Sequence, residues 1–325
     1  MAIGIGRRQF VSAIGGAAVW PLAAHSQQPD NHVYRIAFLA PLPASAFSAL
    51  FDELRQQGFV EGQNLAIDRR GFEGRYEQFP ALTAELVKAG PDAIICAGDS
   101  AIRAAQAATT SIPIVASTDD MVGSGLVRSL AHPSGNTTGI SLLATELDGK
   151  RQEILIDFFP TARRMAVLAD AQTTDDRRLL ELEDATRKRG VALSIHRVER
   201  SVDIGPAIEA ALASGATAMN VLASPLLQSD RLAIIVRTAA LRLPAIYQWP
   251  ETAEEGGLLG YGPSYTEFLR QWARHLVKVL RGAKPEDLPV EQPTKFELAV
   301  NLKTARAIGL EIAATLLARA DKVIE

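Results

Sequence analysis

One cysteine, Cys96, serves the whole 325-residue chain. It has no partner for an intramolecular disulfide, so even an oxidising compartment gives the fold no covalent staple. Cys96 lies inside the apolar run Ala-Ile-Ile-Cys-Ala, Ala93 to Ala97, where a cysteine acts as a small hydrophobe. Histidine is scarce as well. No two of the five (His25, His32, His132, His196 and His275) lie within four residues, and one cysteine makes no Cys-x-x-Cys, so metal-ligand spacing is missing. An excess of positive charge is also missing: 34 Lys and Arg stand against 37 Asp and Glu, a net of −3. That excludes the electrostatic footprint of a nucleic-acid binder and a polybasic membrane patch. The one short Gly-x-Gly, Gly4 to Gly6, has Gln9 where a dinucleotide fingerprint needs its third glycine, and no Walker loop occurs. No cofactor is expected.

What is there begins with an export-like segment. Arg7-Arg8 is followed by Phe10, then by 14 mildly apolar residues from Val11 to Ala24, then by Ala-His-Ser. A charged start, an apolar stretch too short to span a bilayer and a small-x-small site describe a cleavable signal over 1–26, of twin-arginine type. The segment has no cysteine for a lipid anchor, so the mature chain is expected to be free.

The rest suggests about two domains by length. Strand-length apolar runs alternate with segments of helical period. One series starts at Tyr34, Leu65, Ala93 and Ile114, spaced by 31, 28 and 21 residues; a second starts at Met165, Ala192, Ala218 and Ala245, spaced by 27, 26 and 27. Each interval is one βα unit, so the fold class is α/β, with two parallel sheets coated by helices. Phe79, Leu82, Leu86 and Ala89 form one helical stripe; Tyr265, Phe268, Trp272, Leu276 and Val279 form another, which makes Trp272 a core residue. Segments 135–141, 256–264 and the proline-spaced 284–296 read as joins between halves. Lobe 1 is then 32–141 plus about 263–288, and lobe 2 is 142–262 plus about 289–325.

Ser100, in Gly-Asp-Ser after the third strand, is the one candidate nucleophile. The esterases with that block need a late Asp-x-x-His, but Ser129, Leu193 and Trp272 precede His132, His196 and His275 by three, and Ile102 breaks Gly-x-Ser-x-Gly. Ser100 instead reads as a helix N-cap, with the amides of Ala101, Ile102 and Arg103 open to water or to a small carboxylate. Ligands of open parallel sheets bind at this carboxyl edge.

The stretches Asp120–Ser141, Leu243–Tyr265 and Pro289–Leu310 resemble the substrate-binding family of ABC transporters that includes tryptophan- and tyrosine-type solute receptors. The resemblance extends over essentially the whole chain. It implies two Rossmann-like lobes joined by three crossovers, the type I periplasmic binding fold. It also implies a small ligand trapped between closing lobes, and delivery to a permease and an ATPase on other chains. Position by position, Pro41 to Ser45 match the first ligand loop, Asp99 and Ser100 the second. Asp120 matches the Asp of an Asp-Pro-Val motif in which Met121 replaces proline. Asp170, Ser224-Pro225, Tyr247 and Tyr261 match in the second lobe, while Pro250 departs from the pattern beside Trp249. Ser100 and Ser117 are expected to hold a carboxylate, Asp120 to face an ammonium, and Tyr247, Trp249 and Tyr261 to stack on an aromatic body. The expectation is a monomeric, non-enzymatic receptor in a Gram-negative periplasm, with an aromatic amino acid or acid as ligand. A sensing receptor without a transport role and, more distantly, a secreted serine hydrolase using Ser100 remain as alternatives.

Overall fold

The computed structural model describes residues 32–71 and 75–325. The signal-like segment 1–26 lies outside the described residues.

In chain order the elements are β1 (Tyr34–Leu39), α1 (Ser48–Gln56), β2 (Leu65–Gly71), α2 (Phe79–Lys88), β3 (Ala93–Ala97), α3 (Asp99–Ala108), β4 (Ile114–Thr118) and β5 (Thr137–Ser141). Then come α4 (Ala144–Phe158), β6 (Arg164–Asp170), α5 (Asp176–Lys188), β7 (Ala192–Val198), α6 (Ser201–Ala213), β8 (Met219–Val221), α7 (Pro225–Ser229), α8 (Arg231–Ala240), β9 (Ala245–Tyr247), α9 (Pro250–Glu254) and β10 (Leu259–Gly262). The chain ends with α10 (Tyr265–Leu280), β11 (Glu297–Asn301), α11 (Leu302–Ala307), α12 (Ala314–Leu317) and β12 (Lys322–Ile324).

These make two sheets. The first is parallel throughout, in the order β2-β1-β3-β4-β5. The second runs β12-β11-β10-β9-β8-β6-β7 and is parallel except for the antiparallel β10–β11 pair, a departure from the all-parallel expectation. Continuous apolar strands such as β3 are buried because helices cover both faces. On one face of the first sheet, α1 and α10 bury Phe38, Phe47, Leu50, Trp272 and Leu276; on the other, α2 and α3 bury Leu39, Phe79, Leu86 and Ile102. Trp272 is a core residue, and its indole N–H donates to Val115 O at 3.3 Å. Ala89, expected on the buried stripe of α2, is exposed.

The segments read as joins turn out to contain strands. Thr137–Ser141 is β5, fully buried although it has no apolar run. It packs closely through Gly139, at φ 147°, where a Cβ would lie 1.8 Å from Ala116 O. Leu259–Gly262 is β10. The first two crossings thereby shrink to a couple of residues. At the first, Leu143 holds a left-handed conformation, φ 56° and ψ 36°. The third runs beside β5: Glu291 N donates to Gly139 O at 2.9 Å, and Ser141 N to Glu291 O at 2.9 Å. The Glu291 carboxylate accepts from His275, Lys278 and Gln271 of α10, which hold it well below the usual glutamate range against the opposing effect of burial. Among the described residues no helix is long and apolar enough to cross a membrane.

Candidate ligand-binding cleft

The carboxyl ends of β3 and β4 face loops of the second sheet across a cavity of about 420 Å³ lined by both lobes. Its first wall starts at Gly98, whose φ of 86° turns the chain from β3 into α3. The helix begins earlier than expected: Gly98 is the N-cap, and the first helical bond runs from Ile102 N to Gly98 O at 3.2 Å. Ser100 is therefore inside the first turn, and the amides ahead of that bond are those of Asp99, Ser100 and Ala101. Asp99 accepts a hydrogen bond from Thr118. Ser117 and Thr118 are buried at the end of β4.

The two aspartates after β4 separate. Asp120 is exposed, and its Oδ1 accepts from the amides of Val122 at 3.1 Å and Gly123 at 2.8 Å. One oxygen of its carboxylate thus caps a turn, and the residue also lines the cavity. Asp119 reaches across the cleft instead, accepting from Arg178 Nη1 of α5 at 3.0 Å. Arg178 is positioned by Asp175, the N-cap of α5, which accepts from Arg178 N at 2.7 Å. The other end of the guanidinium meets Asp148 of α4, which also takes Arg151; Arg151 Nη1 in turn donates to Tyr261 O at 3.0 Å. Asp148 and Arg151 are at most 1% exposed. Burial opposes the charge on Arg178, yet the carboxylates of Asp148 and Asp119 outweigh it and raise its pKa. A chain of charges thus runs from the cleft through α5 and α4 to the backbone of β10.

A second part of the lining is aromatic and belongs to the core packed on the first sheet. Trp249 lies edge-on to Tyr265 at 4.8 Å and stacks on Phe268 at 5.6 Å; Phe268 stacks on Trp272 at 5.8 Å. Phe47 completes the ladder at 6.0 Å from Trp272. Trp249 is only 4% exposed, and its Nε1 has no hydrogen-bond partner. Ser224 and Pro225 open α7 at the cavity, with Leu227 N donating to Ser224 Oγ at 3.0 Å.

Of the residues expected at the site, Asp99, Ser100, Ser117, Asp120, Ser224, Pro225 and Trp249 line this cavity. Pro41, Ser45, Asp170, Tyr247 and Tyr261 do not. Ser45 lines a neighbouring cavity. Along β9 successive side chains take opposite faces: Ile246 joins the core shared with α4 and α11, and Tyr247 joins the core under α6 and α8. The Tyr247 hydroxyl meets Thr238 Oγ1 at 3.0 Å, and burial pushes its pKa up. Tyr261 packs against the α4 core and offers only its carbonyl, to Arg151. Asp170 is fully buried; burial raises its pKa, opposed by the Gln172 amide at 2.9 Å. Asp148, Arg151, Arg178, Tyr265 and Phe268 were missed. The arginine pair 177–178 lies in a helix with four acidic and four basic residues, a pattern of a solvated face, and nothing local marks one of its members as buried. The lining contains no histidine, so Ser100 has no imidazole base in the cavity.

A fold of two α/β lobes around a lined cleft is that of the type I periplasmic binding proteins. Residues 43–324 match the model of the ABC transporter substrate binding protein family, and the chain belongs to that family. Its members bind substrates and are not enzymes. A tyrosine-binding protein of Clostridioides difficile strain R20291 is 24% identical over 266 residues, covering 79% of this chain and 74% of that one. A solved conserved domain protein from Vibrio cholerae O1 biovar El Tor superposes with a TM-score of 0.80 at 25% identity, over 90% of this chain and 99% of the other. An ABC domain from Streptococcus pneumonia, solved in complex with L-Trp, gives 0.77 at 22% identity over the same shares.

Proposed function

We propose that the protein captures a zwitterionic aromatic amino acid between its lobes and presents it to the permease of an ABC importer. The observation that carries this reading is one cavity whose lining brings an aromatic ladder together with amides, hydroxyls and carboxylates. The ligand carboxylate is placed on the first amides of α3 with Ser100 and Ser117. Its ammonium faces Asp119, in place of the turn-capping Asp120. Its ring lies along Trp249, Tyr265 and Phe268. The named ligands of the tyrosine- and L-Trp-binding relatives support the same class. Work is done by differential binding: contacts from both lobes exist only when the cleft is shut, so ligand shifts the population to the closed state. The export-like 1–26 supports a periplasmic protein, acting as a monomer with a separate permease and ATPase.

The test is a thermal-shift series with L-tryptophan, L-tyrosine, L-phenylalanine, tryptamine and indole-3-propionate. A ligand at about 100 times its Kd stabilises the fold by about 2.7 kcal/mol, about 4 °C for a chain of this size. At least one amino acid is expected to do so, and the analogue lacking either charge is expected to fail. No shift with any of them refutes the reading.

A further inference from the structure

Two tyrosines line the cleft cavity, and their hydroxyls fare differently. Tyr265 donates to Ala46 O at 3.0 Å. The Tyr76 oxygen is neither buried nor hydrogen-bonded among the described residues. Tyr76 opens the short 3-10 turn Tyr76–Gln78 that leads into α2, and its ring stands edge-on to Phe79, with centroids 5.8 Å apart and planes at 83°. Phe79 is fully buried, and Tyr76 packs with it against the core under α2 and α3, so the phenol has little freedom to turn away from the cavity. Burial raises the Tyr76 pKa, and the carboxylates of Asp170 and Asp119 raise it further. Asp119 belongs to lobe 1 and Asp170 to lobe 2, so the phenol lies between the lobes, with negative charge on both sides and its proton in place at neutral pH. Asp119 has an oxygen to spare there: Oδ2 accepts from Arg178, while Oδ1 accepts from no described residue.

We infer that Tyr76 is a ligand-binding residue whose oxygen accepts a hydrogen bond from the ligand's ammonium, beside Asp119 Oδ1. This rests on the aromatic amino-acid reading above and narrows the ligand to a primary amine. A primary ammonium carries three N–H donors, and Asp119 Oδ1 alone leaves the others to find acceptors in a closed cleft. A phenol oxygen supplies one without setting a further negative charge against Asp119. The selectivity comes from the penalty on the wrong ligand. A tertiary amine keeps a single N–H, which Asp119 takes, and sets its methyl groups against the phenol oxygen, which is then dry and unpaired.

The experiment is calorimetric titration of the full chain, unaltered and as Tyr76→Phe, with L-tryptophan and L-tyrosine, each beside its N,N-dimethyl derivative. The unaltered protein is expected to bind at least one of the two amino acids, and that one at least about tenfold tighter than its dimethyl form. Tyr76→Phe is expected to weaken that amino acid about tenfold and its dimethyl form less than about twofold. The variant removes a hydroxyl without a partner among the described residues, so its melting temperature without ligand is expected to stay within about 1 °C of the unaltered value. That separates a lost ligand contact from a damaged fold. A loss below about twofold for the amino acid, an equal loss for both forms, or equal affinity of the unaltered protein for both forms overturns the assignment of Tyr76 and leaves the aromatic amino-acid reading standing. Where the dimethyl form binds too weakly to titrate, the amino-acid arm decides alone. Binding of neither amino acid overturns both.

Discussion

Replacing Asp119 by asparagine removes one charge from the ion pair that carries the buried network across the cleft. Arg178 loses its lobe 1 partner, 3.0 Å away, and keeps Asp148 within lobe 2. The Asp119 side chain is 30% exposed and that of Arg178 7%. Breaking a fully buried pair costs about 3–5 kcal/mol, whereas an exposed one is worth about 0.2–1. A half-exposed pair with one partner still satisfied falls between, at about 1–2 kcal/mol. Because the partners belong to different lobes, that energy belongs to closure and not to the folding of either lobe. The open-to-closed ratio should therefore rise about 5–30-fold. Double electron–electron resonance between spin labels on the exposed Arg128 and Lys188 reads this without ligand. Asp119→Asn is expected to move weight to longer distances. Asp120→Asn, which alters a turn cap, is expected to leave the distribution alone. An Asp119→Asn distribution identical to that of the unaltered protein refutes the assignment of this pair to lobe closure.

Three further outcomes follow from the same structure. Trp249→Ala strips the centre of the aromatic ladder and is expected to weaken aromatic ligands by at least about 2 kcal/mol, or thirtyfold, in calorimetry; an effect below about twofold would remove the ring from the site. The depressed pKa of Glu291 means that its stabilising contribution is complete above the ordinary glutamate value of 4.5 and is lost as pH falls through the lower folded value. The melting temperature of the unaltered protein should then drop more steeply below about pH 4.5 than that of Glu291→Gln, and parallel curves would contradict this. Cys96 is fully buried and its thiol pKa is raised by that burial, so an alkylating reagent should label it only on unfolding; labelling of the native protein at the unfolded rate would place it elsewhere.

The βα repeat was legible because buried parallel strands such as β3 and β6 are near-continuous apolar runs, while the partly exposed edge strands β2 and β7 still open on a short apolar stretch. β1, β2, β3, β4, β7 and β9 start at the residues where those runs start, and β6 and β8 within one residue of it. β5 and β10 escaped because Thr-Thr-Gly-Ile-Ser and Leu-Gly-Tyr-Gly carry too little apolar signal; neighbouring strands and covering helices bury them. The cleft loops were legible by topology, which puts Asp99, Ser100, Ser117 and Ser224 at strand ends. Two things were not. Which face of β9 carries Tyr247 depends on register, and one residue of shift exchanges it with Ile246. The Asp148–Arg178 contact joins residues 30 apart on different helices, a pairing that no local pattern encodes.

Small-angle scattering during titration with L-tyrosine addresses most directly the claim that two lobes shut over an aromatic amino acid. The radius of gyration is expected to fall and saturate at one ligand per chain. A radius that stays constant while calorimetry shows the ligand bound would contradict closure as the means of capture.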